Sequence, residues 1–434
     1  MTTAMASERP SQTRSIVSFF SGSLAATALS LLASLLITRW TPPHQLGVWN
    51  FALLISTYTS ILQGGVFNGL NRQLPYYHGQ GDRPASDRAA SAAHGWCMAL
   101  SGASVALTVC LGIVAALRGT ADQLHTVLAI GTVISCSWFL QFLTVGYSGT
   151  SQFGQLARKN TAVAVLGLPL ALLSQLLGYM GLLLRAATLA VLTVALLRYR
   201  RPLPSMPRWD PATLKELARI GFPIWVIGQL GALFMTLDRV VLADSPQALG
   251  YYAIAAQFGT LAAMVPTAFN AVHYTQMARD YGARHLARPL WTDARRAALR
   301  SAACGLGLAI PCWLLIPTFV HHVLPAYTPG IAAAQWASLT GVALAPSIFG
   351  NLFNLLGRQA IYLMSAAAGL AAFMALWFVL TKSLHLPPLV SAAQSMLAGT
   401  FVASITSALL ALVVARRHDA RQAALQPGVV GVPS

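Results

Sequence analysis

The stretch LDRVVLADSPQALGYYAIAAQ, residues 237–257, places an acid and a base side by side within apolar sequence. The run before it, IGFPIWVIGQLGALFMT at 220–236, carries no charge. A charge pair after an uncharged run, within an apolar stretch of 24 residues at 220–243, has the pattern of a membrane-crossing helix with ionic groups near one end.

Composition extends that reading to the whole chain. Of its 434 residues 56% are hydrophobic and only 9% are charged. An ordinary soluble domain carries about 25% charged residues. Mean hydropathy is +0.61. So few charges cannot cover a water-facing surface, whereas a bilayer replaces water over most of it. The chain is expected to be an all-α polytopic membrane protein. The five cysteines, Cys97, Cys110, Cys136, Cys304 and Cys312, all lie in apolar runs and form no CxxC pair. They are read as small buried hydrophobes rather than disulfides or metal ligands. The first apolar run, at 15–38, is long enough to span and is not read as a removable signal peptide.

Apolar runs of spanning length recur at about 15–38, 46–70, 92–117, 124–147, 160–177, 180–197, 220–243, 249–273, 300–320, 331–356, 360–380 and 388–414. The fifth and sixth are one continuous run, divided at a tight turn expected between Gly178 and Gly181. Twelve spans result. The net charge of +17 is sorted along them rather than spread out. With the N-terminus cytoplasmic, only Arg39, Arg118, Arg185, Arg239 and Lys382 lie at or near the outer ends, leaving 23 of the 28 Lys and Arg inside. This asymmetry puts both termini in the cytoplasm and removes any need for a nucleic-acid partner.

The outer loops are too short to fold alone. The longest inner segment, RYRRPLPSMPRWDPATLKELAR at 198–219, falls at the midpoint. It is read as a basic cytoplasmic linker between a six-helix lobe at 1–197 and a second at 220–414, with a cytoplasmic tail at 415–434. LLITRWTPPHQLGVWNFALLI (35–55) and FMTLDRVVLADSPQALGYYAIAAQ (234–257) share a base near a helix end, a Pro-containing turn, a Leu-Gly pair and an aromatic residue. Both lie at odd-to-even junctions, as expected of parallel repeats related by an axis along the membrane normal.

Short stretches carry a resemblance: the opening S-x-x-S-F-x-S-G at 15–22, LGVWNFALLI at 46–55, GGVFNGLNRQLPYYHGQGD at 64–82 and LDRVVLADSPQALGYYAIA at 237–255. With the twelve-span layout, the chain resembles polysaccharide flippases of the multidrug/oligosaccharidyl-lipid/polysaccharide exporter superfamily. The resemblance implies two lobes around a central cavity. It implies alternating-access transfer of an undecaprenyl-diphosphate-linked oligosaccharide across the bacterial inner membrane, for O-antigen, capsule or exopolysaccharide synthesis. It also implies coupling to H+ or Na+ without any cofactor. The partners implied are the lipid-linked oligosaccharide, membrane lipids, a polysaccharide polymerase and a chain-length regulator.

Candidate cavity residues follow from the cost of polar groups in hydrocarbon. Asp238 and Arg239 lie roughly 6–8 Å inside the outer end of the seventh span, at 1.5 Å per residue. Successive helical residues point about 100° apart, so they need not pair with each other. They either form a structural pair or face a hydrated interior, and Asp238 is the only acid within the spans. Arg185 lies at similar depth in the sixth; it pairs with Asp238, meets diphosphate, or snorkels outward. Arg72, near Asn68, either greets cargo at the inner mouth or is a positive-inside charge. Gln257, Asn270, His273, Asn351 and Asn354 either join helices or line water. Trp40, Trp49, Trp209, Tyr251 and Tyr252 are read as an interfacial aromatic belt.

Other functions are weighed on the same residues. A membrane polymerase or glycosyltransferase would want acids on a sizeable outer loop, and only Asp122 and Asp244 are there. No metal-ligand cluster or nucleotide loop occurs, so an enzyme is not expected. An ion-coupled multidrug exporter of the same superfamily is the close alternative; one spanning acid against two spanning bases favours an anionic cargo over a cationic one. Asp238→Ala and Arg239→Ala are each expected to lower translocation with membrane insertion intact. Full transport by both variants removes the pair from the mechanism.

Overall fold

The computed structural model describes residues 26–119, 121–150, 152–284, 287–356 and 358–425. These residues are helical, with no strand among them. Twelve helical segments follow one another: Ala26–Trp40, Pro43–Thr59 continuing through Val66–Gln80, Arg83–Leu117, Ala121–Gly149, Phe153–Leu170, Leu172–Arg198, Pro211–Phe234, Pro246–Arg284, Arg288–Val323, Pro325–Leu355, Gln359–Phe378 and Pro388–Leu425. Among the described residues, nine are long and apolar enough to cross a membrane unaided. The other three are the first, whose expected start at 15–25 lies outside the described residues, the second, which is broken, and the fifth. Large apolar side chains such as Leu117 (82% exposed) and Leu314 (68%) face outward, where hydrocarbon takes the place of water.

The turn expected at Gly178 is present. Gly178 takes φ 57° and ψ −130°, a combination that only glycine adopts readily, within Leu172–Arg198. The chain reverses there, so Gly181 lies against the Leu173 carbonyl, eight residues back. The earlier interruption near Ala171 is a kink at Pro169.

Two compact units divide the chain, one ending at Leu233 and the other beginning at Phe234. By compactness the first unit takes in the basic stretch 198–219 and most of the seventh segment. That stretch packs as part of the first unit. Leu203, Leu214 and Leu217 join the core cluster of Leu70, Trp138 and Tyr147. The Arg208 N–H donates to the Ser91 carbonyl at 3.0 Å. His94 is buried and donates from Nδ1 to the Ser205 carbonyl at 3.0 Å. Gly95 lets the Arg208 carbonyl approach where a Cβ would stand only 2.4 Å from it.

Each unit is built by the same device. In the first, the second and seventh segments cross backbone to backbone at Gly65, Gly69 and Gly221. A Cβ on Gly221 would lie 2.0 Å from the Gly65 carbonyl. In the second, the eighth and tenth segments run parallel and touch through Gly330 against Tyr251, Gly259 against Ala337, and Gly341 against Ala262. Small residues let helices approach where lipid offers no hydrophobic drive to associate. Hydrogen bonds then fix the register. Asn71 accepts from the Ser148 hydroxyl at 2.9 Å, and Asn270 Nδ2 donates to Ser347 Oγ at 2.9 Å. Both pairs are separated by 77 residues, so the bond recurs at matching places in the two halves.

Gly221→Ala is expected to cost about 1–3 kcal/mol, the usual range for overpacking a close contact. Gly228→Ala, with open space around it, should be near neutral. Thermal unfolding midpoints of the two variants in the same detergent test this.

Candidate functional site

The seventh segment ends twice. Helix stops at Phe234, Thr236 takes φ −121° and ψ 1°, and one further turn forms over Leu237–Val240. Asp238 sits in that turn and is 7% exposed. Its Oδ1 accepts the Arg239 backbone N–H at 2.9 Å. Its Oδ2 accepts the Tyr252 hydroxyl at 2.9 Å, and Tyr252 is 2% exposed. Arg239 Nε lies 4.0 Å from Oδ1, close enough for charge attraction and too far for a hydrogen bond. The Arg239 side chain is 39% exposed against 10% for Asp238. The base therefore reaches outward while the acid stays in.

This geometry answers what the charges do locally. A carboxylate held by one backbone and one phenolic donor closes the junction between the seventh and eighth segments. Ser245 adds a cap, accepting from Ala248 N–H at 3.2 Å. Helical geometry leaves neighbours free not to pair, but Asp238 and Arg239 do approach each other. Tyr252 and Trp49, expected in an interfacial belt, are instead buried, at 2% and 6% exposure.

The remaining candidates separate by unit. In the second, Asn270 is bonded to Ser347, and Asn351 lies one turn beyond Ser347. Asn351 Nδ2 is buried without a hydrogen-bond partner. His273 lies one turn beyond Asn270, its ring stacked on Phe269 at 6.4 Å. Asn270 and Ser347 thus tie the eighth segment to the tenth, with Asn351 one turn further along the tenth. Gln257 is half-buried nearer the start of the eighth, and Asn354 is exposed. In the first unit Arg72 is exposed and Asn68 half-buried near the close of the second segment.

Arg185 has a local task. The Ala171 N–H bonds to Leu168 in a tightened turn, leaving the Gly167 carbonyl without its usual helical donor. Arg185 Nε supplies one at 3.2 Å. Two cavities, of about 480 and 490 Å³, open in this unit where the connections near Pro42 and Asp122 meet the reversal at Gly178. Gln45, Asp122 and Tyr179 line both, and none of the ten sequence candidates does. No group of three or more His, Cys, Asp or Glu able to hold a metal occurs among the described residues.

Sequence reasoning missed Tyr252, Ser148 and Ser347 as partners. The 77-residue spacing of Asn and Ser in both halves was the available signal. Tyr252→Phe removes the donor to Asp238 and is expected to cost about 1–3 kcal/mol. A double-mutant cycle with Asp238→Asn should give a coupling on the order of 1 kcal/mol; additivity of the two would deny the bond.

No protein-family model matches this sequence, and no curated protein matches it. Solved structures do. An inward-facing multidrug resistance MATE family transporter of the MOP superfamily superposes with TM-score 0.70 at 16% identity, covering 93% of this chain and 96% of that one. A Vibrio cholerae MATE transporter gives 0.62 at 16% identity, covering 94% and 96%. A MOP superfamily transporter from Pyrococcus furiosus, described by a binding pocket of reversed polarity that suggests a different function, gives 0.66 at 13% identity, covering 95% and 97%. The chain has the fold of these transporters, twelve membrane helices in two six-helix lobes.

Proposed function

We propose that this chain is an alternating-access membrane exporter of the MOP fold, moving amphipathic organic compounds in exchange for H+ or Na+. The observation that carries this reading is superposition on a multidrug transporter over 93% of the chain. The lobes would be 1–197 and 220–414, joined by 198–219. The protein would sit in a bacterial inner membrane with both termini cytoplasmic, as the distribution of 23 of 28 bases supports. Asp238, the sole spanning acid, would be the ion-responsive group. Protonation or sodium binding competes directly with the Tyr252 hydroxyl and the Arg239 N–H for its oxygens.

The second reading is transfer of a lipid-linked oligosaccharide, with polymerase and chain-length regulator as partners. Two observations favour it. Asp238 is closed off by its own partners rather than held open as an acceptor for a cation, and spanning bases outnumber spanning acids. The Pyrococcus furiosus transporter, with its pocket of reversed polarity, supports the idea that this fold suits more than one class of cargo.

In proteoliposomes carrying an imposed proton or sodium gradient, the protein should extrude ethidium, and Asp238→Asn should bring the rate near the protein-free level. Gradient-independent flipping of a fluorescent polyprenyl-diphosphate sugar, without ethidium transport, would reverse the order of the two readings.

A further inference from the structure

The basic stretch between the sixth and seventh segments is a fixed strap with a face of its own. After the reversal at Gly178, twenty residues run to Arg198. At 1.5 Å each they cover about 30 Å, the thickness of the hydrocarbon layer. The strap therefore begins at a membrane boundary, and it ends at Pro211, where the seventh segment re-enters.

Its inward side is anchored. Leu203 and Ser205 are buried, and Arg201 Nη2 donates to the Ser205 carbonyl at 2.7 Å. Asp210 accepts both the N–H and the hydroxyl of Thr213, capping the seventh segment, and those bonds hold its carboxyl below the usual range. Its outward side combines charge and grease. Arg198, Arg200 and Arg208 are exposed, and beside them stand Tyr199 at 63%, Met206 at 84% and Trp209 at 60% exposure. Arg200 has φ 49°, in the left-handed region that residues other than glycine seldom adopt. That conformation lays its guanidinium over the Tyr199 ring at 5.3 Å.

Topology alone asks only for bases on this side. It does not ask for three large apolar or aromatic groups held outward among them on an anchored backbone. Bases interleaved with Trp, Tyr and Met at a bilayer boundary suit a negatively charged lipid surface, the bases meeting phosphates and the apolar groups entering between headgroups. We propose that residues 198–209 form a docking surface for anionic phospholipid headgroups, fixing the strap to the leaflet. It requires no particular cargo.

The test uses the full chain with its five cysteines replaced and Met206→Cys labelled with an environment-sensitive fluorophore. It is placed in nanodiscs of phosphatidylcholine, alone or mixed with phosphatidylglycerol. The emission should shift to the blue, and be quenched by doxyl-labelled acyl chains, only in the mixture. Raised salt should reverse the shift without any variant. Arg200→Gln with Arg208→Gln should reduce the phosphatidylglycerol retained by the protein in native mass spectrometry by roughly tenfold or more, at about fivefold per base. Trp209→Ser, which keeps every base, should abolish the quenching. Equal emission in both lipids overturns the proposal, as does retention unchanged by the arginine substitutions. A blue shift on adding inorganic phosphate to phosphatidylcholine discs would assign the bases to a soluble anion and overturn it equally.

Discussion

Every departure from helix in this chain must find a donor or acceptor from within the protein, because hydrocarbon supplies none. That constraint organises the structure more tightly than apolar packing does. Pro169 kinks the fifth segment, the tightened turn frees the Gly167 carbonyl, and Arg185 reaches it from the sixth. The seventh segment breaks at Thr236, and the turn that follows is held by Asp238, Arg239 N–H and Tyr252. The second segment breaks at Gly64 and Gly65, and the seventh lies against that break through Gly221. In each place an apparent defect coincides with a polar group or a glycine that the sequence would otherwise have no reason to hold.

The same constraint explains what could be read in advance. Span number, the reversal at Gly178 and the membrane class follow from runs of apolar residues and from glycine, which are local signals. The division of the chain was less legible. The 198–219 stretch looks like a linker because it is rich in proline and arginine, yet its alternate residues Leu203 and Ser205 are buried, Ser205 against a helix more than a hundred positions earlier. Composition averages over such alternation. Tyr252 was read as interfacial because tyrosine near a span end usually is; only the three-dimensional placement of Asp238 gives its hydroxyl a buried partner. Asn71 and Asn270 carried a stronger signal than either alone, since each has a serine 77 residues downstream.

That repeated bond also bears on how the fold is built. The Leu-Gly pairs at 46–47 and 249–250 precede Asn71 and Asn270 by different lengths, and the first half holds the extra residues in the Ser60–Gln63 turn and its two glycines. The eighth segment passes the equivalent region as unbroken helix over Pro246–Arg284. Two halves with one plan thus differ at one place in the second and eighth segments: one is jointed by left-handed glycines and the other is continuous. A joint in only one half makes the two mechanically unequal, although their register bonds match.

The charge pair at 238–239 acquires its meaning from this setting. As found, the carboxylate is a structural clasp, with both oxygens occupied and its base turned outward. A clasp and an ion switch are not exclusive, because a group that holds a junction by its negative charge loosens that junction when the charge is neutralised. The Tyr252 hydroxyl can donate to a carboxylate more strongly than to a carboxylic acid, whose own proton seeks an acceptor. Neutralising Asp238 would therefore weaken the tie between the Leu237–Val240 turn and the eighth segment, both within the second unit. An acid placed elsewhere along the spans would bind an ion without touching that junction. At position 238, neutralising the charge would act on the junction itself.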